Sequence, residues 1–286
     1  MIHRLSTHQK WAIGLFLAPA CVWLVALILI PHVQLLELAF SDRRGGWTTR
    51  HFEQFFAHSL YWNTFIRTAW MSLLATLFTL LLAFPIAYYI AKIANTKNRL
   101  LLVMVCILPF WLSELVRAYG WMIVLRESGL LSHLLVWLGV TEHRIEFLYN
   151  DYAIIMGLIY NGLLFMLVPL ISALDSLDNS HIEAAFDLGA SRWVALTAIV
   201  IPHAMPGIVS GCIIVFMLSL GNYLIPSLMG GKDSLWFTEQ IFTQFITRFN
   251  WEQGSALGLL LLILSSLLVW LGLKISGQSL QSTVGR

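Results

Sequence analysis

The chain has 286 residues, of which 58% are apolar and only 11% charged, with a formal net charge of +2. A water-soluble domain carries roughly 25% charged residues, so this composition points to lipid as the solvent, and the near-neutral balance gives no basis for a nucleic-acid partner. Three cysteines, Cys21, Cys106 and Cys212, lie singly in apolar runs without a Cys-x-x-Cys spacing, so they are expected to be small packing residues, not zinc ligands or a disulfide framework.

A helix needs about 20 apolar residues to cross the hydrocarbon core, and six stretches qualify. The first, 11–30, follows Arg4 and Lys10. Its length, and the spans that follow it, mark it as an uncleaved anchor and not a signal-peptide core, in spite of the small residues Ala18 and Ala20. Residues 32–62 are polar and aromatic, with a turn at 42–46. The second span, 63–91, contains Pro85 and ends in a short basic loop with Lys92, Lys97 and Arg99. The third, 100–125, is interrupted by Pro109. Within 126–150 the run LLSHLLVWLGV is too short to cross and reads as an interfacial helix. The fourth span is 152–174. The fifth, 198–226, holds Pro202, Pro206, Gly207, Gly211 and Gly221. Such residues are tolerated where neighbouring helices satisfy the freed backbone groups, so this helix is expected at the centre. After a polar loop, 227–250, the sixth span is 251–273. The chain, 1–286, reads as a single all-α transmembrane domain.

Between the fourth and fifth spans lies the polar-edged loop 175–197. Here Ile182, Phe186, Gly189/Ala190 and Trp193 recur at steps of three or four and line one stripe of a helix. Glu183 and Asp187 are four apart, so their carboxylates share another face. This is a short amphipathic helix available to something outside the membrane. Lys and Arg counts give the sidedness only weakly: with the N-terminus inside, the inner segments 1–10, 92–99, 175–197 and 274–286 hold eight, and the longer outer segments hold seven.

No residue set points to catalysis. Gly231-Lys232 lacks the upstream glycine of a phosphate loop, His181-Ile182-Glu183 lacks the cysteine half of a deaminase site, and the nine histidines are scattered. Two ionisable residues stand in the third span. Glu114 and Arg117 would each cost about 2.5–3.5 kcal/mol at a helix centre. Three apart, they can form a local ion pair facing the bundle, or they can line a polar path in which Glu114 attracts a cationic group. Trp111, Tyr119 and Trp121 are near in sequence, either as faces for a cation or as interfacial anchors. Asn222, late in the fifth span, can bond a neighbouring helix or a passing solute. Arg67, near the outer start of the second span, reads as a snorkelling residue.

The register Glu183-Ala184-Ala185, then Gly189, then Ile199 and Pro202, resembles the cytoplasmic signature loop of permease subunits of bacterial ATP-binding-cassette (ABC) importers: Glu-Ala-Ala, three residues, Gly, nine residues, Ile-x-Leu-Pro. Ile201 in place of leucine is the one departure. Residues 108–111, 115–120, 134–140 and 229–231 resemble the spermidine/putrescine branch of that family, in particular the first of its two permease subunits. Glu114 is not part of the branch pattern, and Asn222 stands where some relatives carry an acidic residue.

The resemblance implies a MetI-like fold of six transmembrane helices in the bacterial inner membrane, with both termini cytoplasmic. It also implies a coupling helix that docks on an ATPase through Glu183, Ala184, Ala185, Asp187 and Gly189. The residues read above from their own chemistry, Trp111, Glu114, Arg117, Tyr119, Trp121 and Asn222, are the candidates for the substrate path. The implied partners are a second permease, two ATPase subunits that bind ATP and Mg, and a periplasmic solute-binding protein. No cofactor or enzymatic activity is expected in this chain. The implied cargo is a polyamine or related small amine, with ferric iron or an amino acid derivative as alternatives. A secondary transporter driven by an ion gradient is the rival class, but such proteins usually show repeated halves, and none is evident.

Overall fold

The computed structural model describes residues 7–42 and 45–276. Among them there are helices and an isolated bridge between Ser41 and Trp47, but no strand. The first helix, α1, spans Thr7–Ala39 and contains both Pro19 and Pro31. It therefore continues well past residue 30, because the sequence beyond Pro31 stays largely apolar and a membrane helix can accommodate a proline. The loop expected at 32–62 is correspondingly shorter and contains a further helix, α2 (Arg50–Ala57), whose Phe55 is fully buried.

Helix α3 (Ser59–Tyr88) ends in a π-helical turn, Tyr89–Ile93. Next come α4 (Thr96–Ile107), a 3₁₀ turn at Leu108–Trp111, α5 (Glu114–Leu125) and α6 (Leu130–Trp137). The third span, expected over 100–125, is thus not a straight helix: the two halves on either side of residues 112–113 bend by 93°. Helix α7 (Asp151–Asp175) is followed by α8 (Asn179–Asp187), α9 (Arg192–Ala195), a π turn at Leu196–Val200, and α10 (Ile201–Leu220). The fifth span therefore begins at Arg192 and breaks after Leu220, before α11 (Leu224–Met229). A short α12 (Phe237–Phe242) and a π turn at Thr243–Thr247 precede α13 (Trp251–Ser276).

Helices α3, α7 and α10 form the centre. Near one end the core is built from Ala83, Ala87, Met166, Leu167, Leu170, Leu174, Val200, Ala204 and Val215; near the other it is built from Met71, Ile154, Leu158, Ile225, Met229 and Trp236. The glycines expected to favour a central position do so by removing side chains at the α7–α10 crossing. A methyl group on Gly207 would lie 2.6 Å from the Pro169 carbonyl oxygen and 2.6 Å from the Ala173 Cβ. Since the first of these is backbone, the helices themselves would have to separate. On α3 the buried hydroxyls of Thr76 and Thr79 donate back to the carbonyls of Ser72 and Ala75 at 2.7 and 2.6 Å, so these polar side chains sit in the core without needing a partner helix. Elsewhere α1, α3, α4 and α13 expose leucine, isoleucine, valine and tryptophan, a surface that lipid solvates without penalty.

Candidate functional site: a polar node in the bundle and an exposed helix at its end

The break in the third span is what creates the node. Pro109 has no N–H to continue a helix, and Leu112 and Ser113 are extended, with ψ of 144° and 153°. Ser113 then caps α5, its Oγ accepting from the Val116 N–H at 3.4 Å. Glu114 is the first residue of α5, where a carboxylate faces the positive end of the helix dipole, an arrangement worth about 0.3–1 kcal/mol. Its Oε1 accepts two hydrogen bonds, from Asn161 Nδ2 at 3.0 Å and Asn222 Nδ2 at 2.6 Å. Asn161 lies about 15 Å along α7 from Asp151, so the carboxylate sits near mid-span. Among the described residues its second oxygen, Oε2, receives no hydrogen bond.

Glu114 and Arg117 do not pair directly. Asn161 stands between them: its Nδ2 serves the carboxylate while its Oδ1 accepts from Arg117 Nη2 at 3.0 Å. This double role fixes which way the amide faces. The Arg117 guanidinium lies 4.4 Å from the Phe110 ring centroid and 5.9 Å from that of Tyr160, and its Nε and Nη1 are buried without a hydrogen-bond acceptor. The aromatic faces partly replace the missing acceptors electrostatically. Asn222 joins the node to the segment that follows α10. Its Oδ1 accepts from the Ile225 N–H at 2.9 Å, and its carbonyl from the Thr238 hydroxyl at 2.7 Å.

Of the residues read as a substrate path, the structure brings together Glu114, Arg117 and Asn222. Trp121 borders the same cavity, edge-on to Tyr160 at 5.5 Å, with Gly157, Ile225 and Met229. Tyr119 and Trp111 face away, at 49% and 84% exposure. Asn161 is absent from the sequence reading, although an amide inside the fourth span carries the same signal as Asn222 in the fifth. Arg67 is also corrected. It pairs with Asp151 and donates from Nη1 to the carbonyls of Asp233 and Leu235, both at 3.0 Å. Ser234 Oγ completes this tie by donating to Asp151 Oδ1 at 2.8 Å. Arg67 thus fixes the segment after α11 against α3 and α7, which a side chain extended into the interface could not do.

At the opposite end, α8 projects from the bundle with no fully buried residue. Asp178 caps it, accepting the Ser180 N–H at 3.0 Å, and that hydrogen bond holds the Asp178 carboxyl below the usual carboxylate range. Ile182 packs toward the core, while Glu183, Ala184 and Asp187 are exposed and Ala185 is half-buried. Gly189 adopts φ of +82°, a left-handed conformation that glycine takes without strain. There its N–H bonds to Phe186 O and the Ala190 N–H to Ala185 O, closing the helix. Lys92, in the π turn after α3, reaches the α7–α8 linker, and Arg99, in the first turn of α4, reaches the end of α7. Lys92 Nζ donates to the Leu177 carbonyl and, at 3.1 Å, to Asn179 Oδ1, and Arg99 Nη2 lies 2.7 Å from Asp175 Oδ2. The side chains of Arg99 and Asp175 are 36% and 44% exposed, so their pairing contributes only ~0.2–1 kcal/mol to stability.

The chain is thus a bundle of apolar helices with a hydrogen-bonded polar node among them and an exposed helix at one end. The chain belongs to the family of binding-protein-dependent transport system inner membrane components, whose family model matches residues 61–280. Among its relatives are the spermidine/putrescine transport system permease protein PotB of Escherichia coli strain K12, 35% identical over 253 residues that cover 86% of this chain and 91% of that protein, and PotB of Haemophilus influenzae, 35% identical over 254 residues covering 87% and 88%. The fold matches a subunit of a bacterial alginate ABC transporter with a TM-score of 0.79 at 20% identity, covering 94% of this chain and 95% of that one. It also matches a subunit of the MetNI methionine ABC transporter at 0.55 and 18% identity, covering 73% and 91%. The chain is therefore a permease subunit of an ABC importer, a multi-pass protein of the inner membrane, and not itself an enzyme; the ATPase is a separate subunit.

Proposed function

We propose that this chain forms one half of the translocation path of an importer for a small polyamine such as spermidine or putrescine. The observation that carries this reading is the Glu114 carboxylate, with one oxygen held by two amides and the other free to receive a charged nitrogen. An ammonium is a suitable ligand for such a group, and a carboxylate held in place by amides rather than neutralised by Arg117 keeps its attraction for a cation. The likeness to the PotB proteins supports the same cargo. The coupling contact is formed by Glu183, Ala184, Ala185, Asp187 and Gly189, and α8 and both termini lie on the cytoplasmic side. A second permease related to this chain completes the path. Two ATPase subunits supply the energy, ATP and Mg being bound there, and a periplasmic binding protein delivers the solute to the end held by Arg67 and Asp151. ATPase closure reaches the bundle through α8 as rigid-body movement.

Uptake into proteoliposomes holding the full complex is expected with ATP and to cease when the ATPase subunits are omitted. Uptake sustained by a proton or sodium gradient alone would overturn the assignment in favour of a secondary transporter.

A further inference from the structure

Helix α4 is an arm that the apolar core does not hold. Among its described residues none is fully buried, and Cys106, near its far end, is its one contact with the core clusters. Yet α4 leads directly into the break that carries Glu114. Its base is tied to the bundle by polar contacts as well as by the buried Ile90 of the turn before it: Arg99 pairs with Asp175, the last residue of α7, and Lys92, in that turn, donates to the Leu177 carbonyl on the linker and to Asn179, the first residue of α8. The far end is tied to α7 again, by Arg117 on α5 bonding Asn161 and by Phe110 packing edge-on against Phe165 at 6.1 Å. Helix α7 and the α4–α5 arm are therefore fastened at two points, one beside α8 and one at the node.

We propose that Lys92 and Arg99 are positioning residues that transmit movement of α8 to the Glu114 arm. Resting on the reading of α8 as the ATPase contact, this names a polar route along the edge of the core, through the Leu177 carbonyl and the Arg99–Asp175 pair. When α8 shifts, the residues that move with it most directly are those of the linker, 176–178, and Asn179, because Asp178 caps α8 and Asn179 begins it. Lys92 grips the linker and the start of α8, and Arg99 the end of α7 from which the linker leaves, so the base of α4 follows their movement. Because α4 is one continuous helix to Ile107, displacement at its base reorients the segment 108–113 and alters the distance between Glu114 and the Asn161 and Asn222 amides. Changes along a physically connected route of this kind alter coupling by about 2- to 30-fold. The exposed Arg99–Asp175 pair adds little to folding, so the route can be cut without unfolding the chain.

The test uses the assembled transporter in proteoliposomes, measuring solute moved per ATP hydrolysed, with co-purification of the ATPase subunits as the check on assembly. Arg99→Asp and Asp175→Arg are each expected to lower that ratio by about 10-fold while the ATPase subunits still co-purify. The double variant, which restores the pair with its charges exchanged, is expected to return it to within about 3-fold of the unaltered chain. Lys92→Met is expected to behave like the single variants. An unchanged ratio in the single variants, or a double variant no better than either, overturns the proposal and leaves α8 as the coupling helix. An unaltered chain that does not co-purify with an ATPase, or transports without one, overturns the reading on which the proposal rests.

Discussion

Glu114→Gln is expected to lower ATP-driven uptake of a diamine by about 10- to 100-fold, the equivalent of one charge-assisted hydrogen bond of about 1.5–3 kcal/mol. The substitution is nearly isosteric. Glutamine's carbonyl oxygen can still accept from the Nδ2 groups of Asn161 and Asn222, so the junction of α5, α7 and the segment after α10 should survive. What is lost is the negative charge and with it the pull on an ammonium. Arg117 is then left as the one formal charge of the node, stacked on Phe110, and a cation approaching from either side meets net repulsion. The loss should appear in uptake but not in the amount of complex recovered from the membrane. Unchanged uptake kinetics for the variant would return Glu114 to a purely structural role.

The second large effect is expected at the other end. Glu183→Lys replaces an exposed anion of α8 with a cation. The introduced ammonium would lie one helical turn before Asp187 and could pair with it, so α8 itself should remain folded. The surface it offers a partner changes sign, and like-charge juxtaposition across an interface costs several kcal/mol. Uptake should therefore fall by more than about 10-fold, and ATP hydrolysis should cease to respond to the loaded binding protein. Measuring hydrolysis and uptake on the same proteoliposomes separates the two failures. If both remain at the level of the unaltered chain, α8 is not the contact.

The two regions differ in how far the sequence reveals them. Helix α8 is legible because its information is local: the apolar step from Ile182 to Phe186, the shared face of Glu183 and Asp187, and the glycine at 189 all act within a few residues. Glu114 and Asn222 are legible as polar groups in apolar runs, since such groups are costly wherever they lie in a membrane. Their partners are not, because the contacts from residue 114 to 161 and from 114 to 222 depend on how helices pack. For the same reason Glu114 and Arg117, adjacent on one helix face, can be read as a pair, when Asn161 in fact stands between them. Arg67 reads wrongly because a snorkelling arginine and one that grips a distant loop have the same local sequence. The bend at Pro109 is visible only as an interruption; its angle depends on Ser113 capping a new helix, a weaker signal than the proline.

The most direct measurement of the central claim is ATP-driven uptake of labelled putrescine by proteoliposomes containing the complete complex, competed by unlabelled solutes. The account predicts saturable uptake that unlabelled diamine or spermidine suppresses and that a neutral or zwitterionic amino acid leaves unaffected, since only the former present an unpaired ammonium to Glu114. Suppression by the amino acid, or by ferric iron, without suppression by the amines would contradict it.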